Sequence, residues 1–108
     1  MKVKIFQMNE SSKFKFCGLR LMEKMGMPKE ALSIDLYTCV YEGEVKCESL
    51  ADLFICLNFN VPPNFRGHSL SVSDVVQVIS GGELSPGYYF VDSMAFVMLP
   101  WSKPAVNS

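Results

Sequence analysis

The chain contains 108 residues, of which 49% are hydrophobic and 19% charged. This length supports one hydrophobic core without disulfides or a metal ion, and this composition excludes intrinsic disorder. The longest apolar runs, such as residues 95–99, are too short to cross a bilayer, and the first residues lack the apolar core of a signal peptide. We therefore expect a soluble, cytoplasmic protein with a single domain over residues 1–100 and a flexible tail over residues 101–108.

The charge is nearly balanced, with 10 basic and 11 acidic residues and a formal net charge of −1. A nucleic-acid binder without sequence preference normally carries a clear positive excess, and a charge mimic of DNA needs a clear negative one. Neither class fits the whole chain, although its N-terminal part is locally basic. That part contains Lys2, Lys4, Lys13, Lys15, Arg20 and Lys24. These six residues would carry nucleic-acid binding if the protein had that function, which is the alternative to the function favoured below.

The N-terminal part of the sequence predicts a strand followed by a helix. Val3 and Ile5 alternate with polar residues, which is typical of an amphipathic strand. Ser12 offers an N-cap for a helix that runs to about Met25, because apolar residues recur at helical spacing between them. Gly26 is a natural C-terminal stop for this helix.

The middle of the chain predicts a second strand and a second helix. Residues 34–41 are rich in β-branched and aromatic side chains, which favours a strand. Ser49 with Asp52 three residues later resembles a capping box, and apolar spacing then predicts a helix over residues 50–58. Residues 60–67 form a loop because two consecutive prolines exclude a helix or a central strand.

The last third of the sequence predicts three further strands, over residues 75–79, 88–91 and 95–99. Glycine-containing turns separate the first two, and Asp92-Ser93 interrupts the last two. The complete order is β-α-β-α-β-β-β. We therefore predict an α+β domain with an antiparallel or mixed sheet and two helices packed on one face.

The cysteines do not indicate a metal site. Cys17, Cys39, Cys47 and Cys56 contain no Cys-x-x-Cys pair, and His68 is the only histidine. A structural zinc site usually needs two close pairs of ligands. We expect free, buried thiols that act as small hydrophobic side chains, and we expect no metal and no cofactor.

The nearest approach to a catalytic constellation is His68 with Ser69, Ser71, Ser73 and Asp74. A nucleophilic serine needs an imidazole within hydrogen-bond reach and a third group that orients it, and neighbours on one strand point to opposite faces. Ser71, Ser73 and Asp74 instead suit a turn in which they accept hydrogen bonds from backbone N–H groups ahead of the third strand. We expect no catalytic residues, no enzymatic activity and no small-molecule substrate.

Two runs of the sequence resemble a known family. Residues 67–76 read Gly-His-Ser-Leu-Ser-Val-Ser-Asp-Val-Val, and residues 88–93 read Tyr-Tyr-Phe-Val-Asp-Ser. Together with residues 37–43, 50–54 and 58–63, they resemble the YodL-like small domain of phage, plasmid and integrative-element proteins. The resemblance covers about residues 34–97. It implies carriage on mobile elements and association with multi-domain polyvalent proteins, and it implies no established catalytic residues.

We therefore expect a non-enzymatic accessory protein of a phage or mobile element that binds a host or element-encoded protein. Inhibition of a host defence, such as a CRISPR or restriction nuclease complex, is the specific hypothesis. The balanced charge favours a shaped, partly apolar contact. The loop over residues 60–69 is the predicted contact surface, with Phe65, Arg66 and His68 as the partner-binding residues, because aromatic and arginine side chains are frequent anchors.

Overall fold

The structure is a computed structural model that describes residues 1–93 and 95–101. The strands are β1 (Lys2–Met8), β2 (Tyr37–Glu44), β3 (Val75–Ser80), β4 (Gly87–Val91) and β5 (Phe96–Met98), and the helices are α1 (Leu19–Lys24) and α2 (Leu50–Phe59). All strands pair antiparallel in one sheet with the order β2-β1-β3-β4-β5. The predicted α+β class and the order of elements are confirmed.

The sheet is covered on both faces, and the prediction that both helices pack on one face is wrong. On the α2 face, Val76 and Tyr89 pack with Leu53 of α2. On the α1 face, the neighbouring residues Val75 and Phe90 pack with the helix α1. Because consecutive residues of a strand point to opposite faces, the two helices lie on opposite sides of the sheet.

A β-bulge in β2 allows this edge strand to serve both faces. The pairing with β1 moves from Tyr41 opposite Ile5 to Cys39 opposite Phe6, so that Val40 is the extra residue. Tyr41 consequently packs on the α2 face and Tyr37 on the α1 face, although an even spacing in a regular strand would place them on one face.

The first helix is much shorter than predicted. Residues 10–16 form turns, and α1 begins only at Leu19. Ser12 accepts a hydrogen bond from Phe14 N–H in a local turn instead of capping a helix. The N–H of Leu19 is satisfied by Asp92 Oδ1 at 3.1 Å, from a distant part of the chain. Tertiary hydrogen bonds thus replace the local helical ones.

The second helix agrees closely with its prediction. The Ser49 hydroxyl accepts a hydrogen bond from Asp52 N–H at 3.1 Å, which is the expected N-cap. Its core-facing side chains are Leu50, Leu53 and Leu57. In contrast, the second strand begins three residues later than predicted, because a 3-10 turn occupies Ile34–Leu36.

The C-terminal end of the described chain is anchored. Trp101 Nε1 donates a hydrogen bond to the Leu32 carbonyl at 3.0 Å, and its ring packs edge-on against Tyr37 and Tyr88. Trp101 therefore does not belong to a flexible tail, whereas the remainder of that predicted tail, residues 102–108, lies outside the described residues. Among the described residues, neither helix has the length and apolar content that a bilayer crossing requires.

All four cysteine thiols are free. Cys17 and Cys47 are buried and Cys56 is partly buried, as expected for small hydrophobic side chains. The prediction of a buried thiol is wrong for Cys39, which is exposed because β2 lies at the edge of the sheet.

Candidate functional site

The buried polar side chains of the described residues meet at one place. Gln7, Ser73 and Asp74 are each almost fully buried. The Gln7 amide donates to Asp74 Oδ2 at 3.0 Å and to the His68 carbonyl at 2.8 Å, and its Oε1 accepts from His68 N–H at 3.2 Å. Gln7 thereby joins the end of β1 to the loop at His68 and to the start of β3. We call Gln7, His68, Ser73 and Asp74, together with Tyr37, the polar network.

Asp74 is the ionisable centre of the polar network. Besides the bond from Gln7, its Oδ2 accepts the backbone N–H of Ser71 at 2.8 Å. Burial raises the pKa of Asp74 to about 7, against the opposing effects of these two hydrogen bonds and of Lys15. Tyr37 closes the network by donating its hydroxyl to the Ser73 carbonyl at 2.6 Å, and burial raises its pKa as well.

The hydrogen bonds assign the tautomer of His68. Its Nδ1 lies 2.7 Å from the Ser69 carbonyl, which can only accept, and 3.2 Å from Gln7 Nε2. Because the two Gln7 amide protons go to the His68 carbonyl and to Asp74 Oδ2, Nδ1 carries a proton and donates it to Ser69. The Nε2 atom is buried without a hydrogen-bond partner, as is Asp74 Oδ1. Within the described part of the chain, both unpartnered buried side-chain atoms thus belong to the polar network. Such groups are uncommon in folded proteins and call for an explanation.

A strained residue covers His68. Phe16 has a φ of 69°, and Ser73, which binds the Phe16 N–H through Oγ at 2.9 Å, has a φ of 83°. This left-handed conformation costs a residue other than glycine about 1–2 kcal/mol. The Phe16 ring lies against the imidazole with 5.0 Å between ring centroids, yet 56% of the residue remains exposed. Strain of this kind often accompanies function.

A surface pocket of about 350 Å³ opens beside the polar network. Its lining includes Glu10, Lys15, Thr38, Val40, Arg66 and His68. Lys15 forms an ion pair with Glu10, and this hydrogen bond and charge lower the pKa of the Glu10 carboxyl. The pocket therefore combines two cationic side chains, Lys15 and Arg66, with hydroxyl, amide and imidazole groups.

The structure separates the predicted partner-binding residues. Arg66 is exposed at the pocket, and its backbone N–H donates to the Val40 carbonyl at 2.9 Å. His68 lines the same pocket. Phe65 is not the exposed anchor that the sequence suggested, because its ring stacks on Tyr41 at 5.6 Å and packs against the core. The loop is held by this stacking, which the sequence did not reveal.

The six basic residues of the N-terminal part lie on three different elements. Lys2 and Lys4 belong to β1, where Lys4 is 3.9 Å from Glu42. Lys13 and Lys15 lie in the turns before α1, with their ammonium groups over the Phe14 and Phe16 rings. Arg20 and Lys24 belong to α1. Of the six, Lys15 lines the pocket described above.

A second surface of interest is the outer side of α2. The exposed fractions of Ile55 and Phe59 are 57% and 81%, and Val61, just beyond the helix, is also exposed. Only two of the ten residues of α2, Asp52 and Asn58, are polar. The helical spacing in the sequence places Leu50, Leu53, Phe54 and Leu57 on one apolar face. It does not indicate that Ile55 and Phe59 make the outer side apolar as well.

The residues missed by sequence reasoning had visible signals. Gln7 follows Val3 and Ile5 at a spacing of two and so falls on the apolar side of the amphipathic first strand, which indicates a buried hydrogen-bonding role. Phe16 ends an alternation of lysine and phenylalanine that runs from Lys13, a composition typical of nucleic-acid contacts. The meeting of Gln7, Phe16 and Asp74 depends on contacts between residues distant in the sequence, which composition alone does not reveal.

The fold and the site define a small α+β domain with a buried polar network beside an open pocket. The sequence model of the YodL-like domain matches residues 2–101, so the chain belongs to the YodL-like domain family. This match includes β1 and α1, which the resemblance over residues 34–97 left out. No curated protein and no solved structure matches the chain.

Proposed function

We propose that this YodL-like domain is a non-enzymatic module that binds a protein partner through the outer side of α2. The observation that carries the proposal is a helix that is apolar on both sides, with Leu53 and Leu57 buried and Ile55 and Phe59 exposed. A helix that is apolar all round is normally covered on all sides. Exposed apolar patches on soluble proteins commonly mark interaction sites.

A groove beside α2 extends this surface. It has a volume of about 340 Å³, and its apolar lining includes Ala51, Phe54, Val72 and Phe96. A groove of this kind accommodates one or two apolar side chains of an amphipathic segment, which supplies the central anchors of an interface.

The charges around this surface define the partner's chemistry. Glu48 and Asp52 lie at the start of α2, Asp92 lines the groove, and residues 47–65 contain no lysine or arginine. A complementary partner therefore presents apolar side chains within a basic rim. The mobile-element setting that the family resemblance implies makes a host defence nuclease complex our specific hypothesis, because proteins that bind nucleic acid expose such basic surfaces.

The hydrogen bonds of the polar network support a non-enzymatic role. The His68 ring nitrogens have no serine hydroxyl as a hydrogen-bond partner among the described residues; Nδ1 bonds the Ser69 carbonyl. The Ser71 hydroxyl instead donates to the Ser69 carbonyl at 2.7 Å, and the Ser73 hydroxyl accepts from Phe16. An activated nucleophile needs a base within hydrogen-bond reach, which this arrangement does not provide.

The test measures capture of host proteins by the tagged full-length chain, followed by inhibition assays on any nuclease complex recovered. Ile55→Glu and Phe59→Glu place a charge at the centre of the surface, and we expect each to weaken capture at least about tenfold. Leu21→Glu is the control, because Leu21 is a comparably exposed apolar residue on α1, which packs on the opposite face of the sheet.

All three variants must keep the melting temperature of the wild type to within a few degrees. Retained capture by folded Ile55→Glu and Phe59→Glu proteins would refute the assignment to α2. Equal loss with Leu21→Glu would show that the effect is a general response to added charge.

A further inference from the structure

We propose that the pocket beside His68 binds a nucleoside phosphate, with the phosphate between Lys15 and Arg66 and the base against the exposed ring of Phe16. This inference goes beyond the proposed protein-binding function and uses none of the α2 residues. It rests on the charges, the aromatic surface and the size of one pocket.

The cationic groups of the pocket are available to an anion. The side chain of Lys15 is only 15% exposed, whereas that of its partner Glu10 is 93% exposed. The Lys15 side chain is thus largely covered, while the Glu10 carboxylate belongs to an exposed side chain, and an ion pair with such a partner contributes little to stability. Arg66 forms no salt bridge with any described residue. A phosphate can therefore replace Glu10 at Lys15 and accept hydrogen bonds from Arg66.

Phe16 supplies the aromatic surface. Its ring is largely exposed although it contacts His68, and its left-handed backbone is held by Ser73. Phe16 does not itself line the pocket, but its ring contacts two side chains that do, His68 at 5.0 Å between ring centroids and the Lys15 ammonium group at 5.6 Å from its centroid. The exposed part of this ring therefore offers a planar surface next to the pocket. Base stacking on an exposed aromatic side chain contributes substantially to the binding of single nucleotides and is tolerant of base identity.

The pocket volume and the overall charge select a short ligand. A volume of about 350 Å³ lies at the lower end of the range for small-molecule sites, ~300–1,000 Å³. Thr38 and Asn9 line the pocket, where the Thr38 hydroxyl donates to Asn9 Oδ1 and the Asn9 amide donates to the Asp35 carbonyl. The Thr38 hydroxyl oxygen keeps the capacity to accept a hydrogen bond from a hydroxyl group of a sugar. The net charge of −1 does not favour a long nucleic-acid groove. The shared chemistry is one nucleotide unit, either free or at an accessible end or loop of a single strand.

The test titrates the ¹⁵N-labelled full-length chain at low salt and follows the amide resonances of Thr38, Gly67 and His68. The probes are AMP, CMP, adenosine, inorganic phosphate, a short single-stranded oligonucleotide and an acidic peptide. We expect AMP and CMP to shift these resonances and to bind at least about tenfold more tightly than adenosine or phosphate alone. If the oligonucleotide binds more tightly than AMP and CMP, the natural ligand is a nucleotide within a single strand. If it binds with the same affinity as AMP and CMP, the natural ligand is a free nucleotide.

Two variants and two controls assign the contacts. Arg66→Gln and Phe16→Asn are each expected to weaken AMP binding about tenfold or more, and asparagine tolerates the backbone conformation of Phe16. Arg20→Gln and Lys13→Gln remove comparable charges outside the pocket, and we expect both to bind AMP like the wild type. Ile55→Glu also keeps AMP binding, so failure of the α2 proposal remains distinguishable.

Three results would overturn the proposal. The first is the absence of any shift with AMP and CMP at millimolar concentration. The second is an acidic peptide or inorganic phosphate that binds as tightly as AMP, which would show that the base is not recognised. The third is unchanged AMP affinity in Arg66→Gln, an exposed position whose replacement leaves the fold intact.

Discussion

Replacement of Asp74 tests whether the polar network stabilises the fold. Asp74→Ala removes the acceptor of two hydrogen bonds, from Ser71 N–H and from the Gln7 amide. Each donor left unpaired in a buried position costs about 1–3 kcal/mol, or about 2–6 kcal/mol together. At pH 5 the unfolded chain ionises the Asp74 carboxyl, whereas the folded protein keeps it protonated, which costs the folded state about 2 kcal/mol. The alanine variant does not have this cost, so the net loss of stability is smaller by the same amount. We therefore expect Asp74→Ala to lower the free energy of unfolding by up to about 4 kcal/mol at pH 5.

The pH dependence follows from the direction of the pKa shift. Burial raises the pKa of Asp74 from its ordinary value of 3.8 to about 7. Between these values the folded protein binds more protons than the unfolded chain, so the contribution of Asp74 to stability falls as the pH rises. Integrated between about pH 5 and pH 8, this loss amounts to about 2–3 kcal/mol.

Asp74→Asn separates the hydrogen bonds from the charge. Its Oδ1 can accept both hydrogen bonds that Asp74 Oδ2 accepts, but its side chain does not ionise. We expect the stability of this variant to lack the loss of about 2–3 kcal/mol between pH 5 and pH 8 that Asp74 causes. Urea unfolding at three pH values, followed by circular dichroism and Trp101 fluorescence, measures it. All other titratable groups are the same in the wild type and in Asp74→Asn, so their contributions cancel when the two pH dependences of stability are subtracted.

Two results would refute this reasoning. Identical pH dependence in the wild type and Asp74→Asn would show that the Asp74 carboxyl does not change its protonation on folding. An Asp74→Ala protein with unchanged stability but without AMP or partner binding would show that Asp74 belongs to a working site. The Gly67–Val76 run would then be functional and not structural.

Two further substitutions probe the surroundings of the network and the end of the chain. Gly67→Ala places a methyl group on Gln7 Oε1, and the displacement of Gln7 breaks its hydrogen bonds to His68 and Asp74. We expect urea unfolding to show a free energy of unfolding that is lower by roughly 2 kcal/mol or more. An unchanged urea midpoint would contradict the close packing of Gly67 against Gln7. Trp101→Ala removes the hydrogen bond to Leu32 and two edge-on aromatic contacts of a partly buried side chain. We expect a loss of about 2–4 kcal/mol, seen as a lower melting temperature. A loss below about 1 kcal/mol would show that Trp101 does not anchor the chain.

The local patterns of the sequence were sufficient for the parts of the fold that depend on near neighbours. The Ser49 cap and the apolar spacing after it predicted α2, because capping and helical periodicity act within one or two turns. Alternation and β-branched residues predicted β3 and β4 for the same reason. Asp74 accepts a backbone N–H within the turn, as predicted, and Ser73 accepts one from distant Phe16. The prediction is wrong for the Ser71 hydroxyl, which donates to the Ser69 carbonyl.

Tertiary contacts decided the rest of the fold. The local apolar spacing after Ser12 favoured a long helix, but Phe16 N–H bonds Ser73 and Leu19 N–H bonds Asp92, so the helix starts late. The bulge at Val40, which directs the two ends of β2 to opposite faces, depends on the pairing with β1. The side on which each helix packs is likewise set by the sheet as a whole.

The candidate site is almost entirely a product of the tertiary structure. The sequence selected Arg66 and His68 by residue type, but it could not show that Lys15 shares their pocket or that Phe65 packs on Tyr41. These contacts join residues tens of positions apart, and no periodic pattern records them. Composition and spacing determine which elements form, whereas the burial of polar atoms and the strain at Phe16 exist only once the sheet has brought distant segments together.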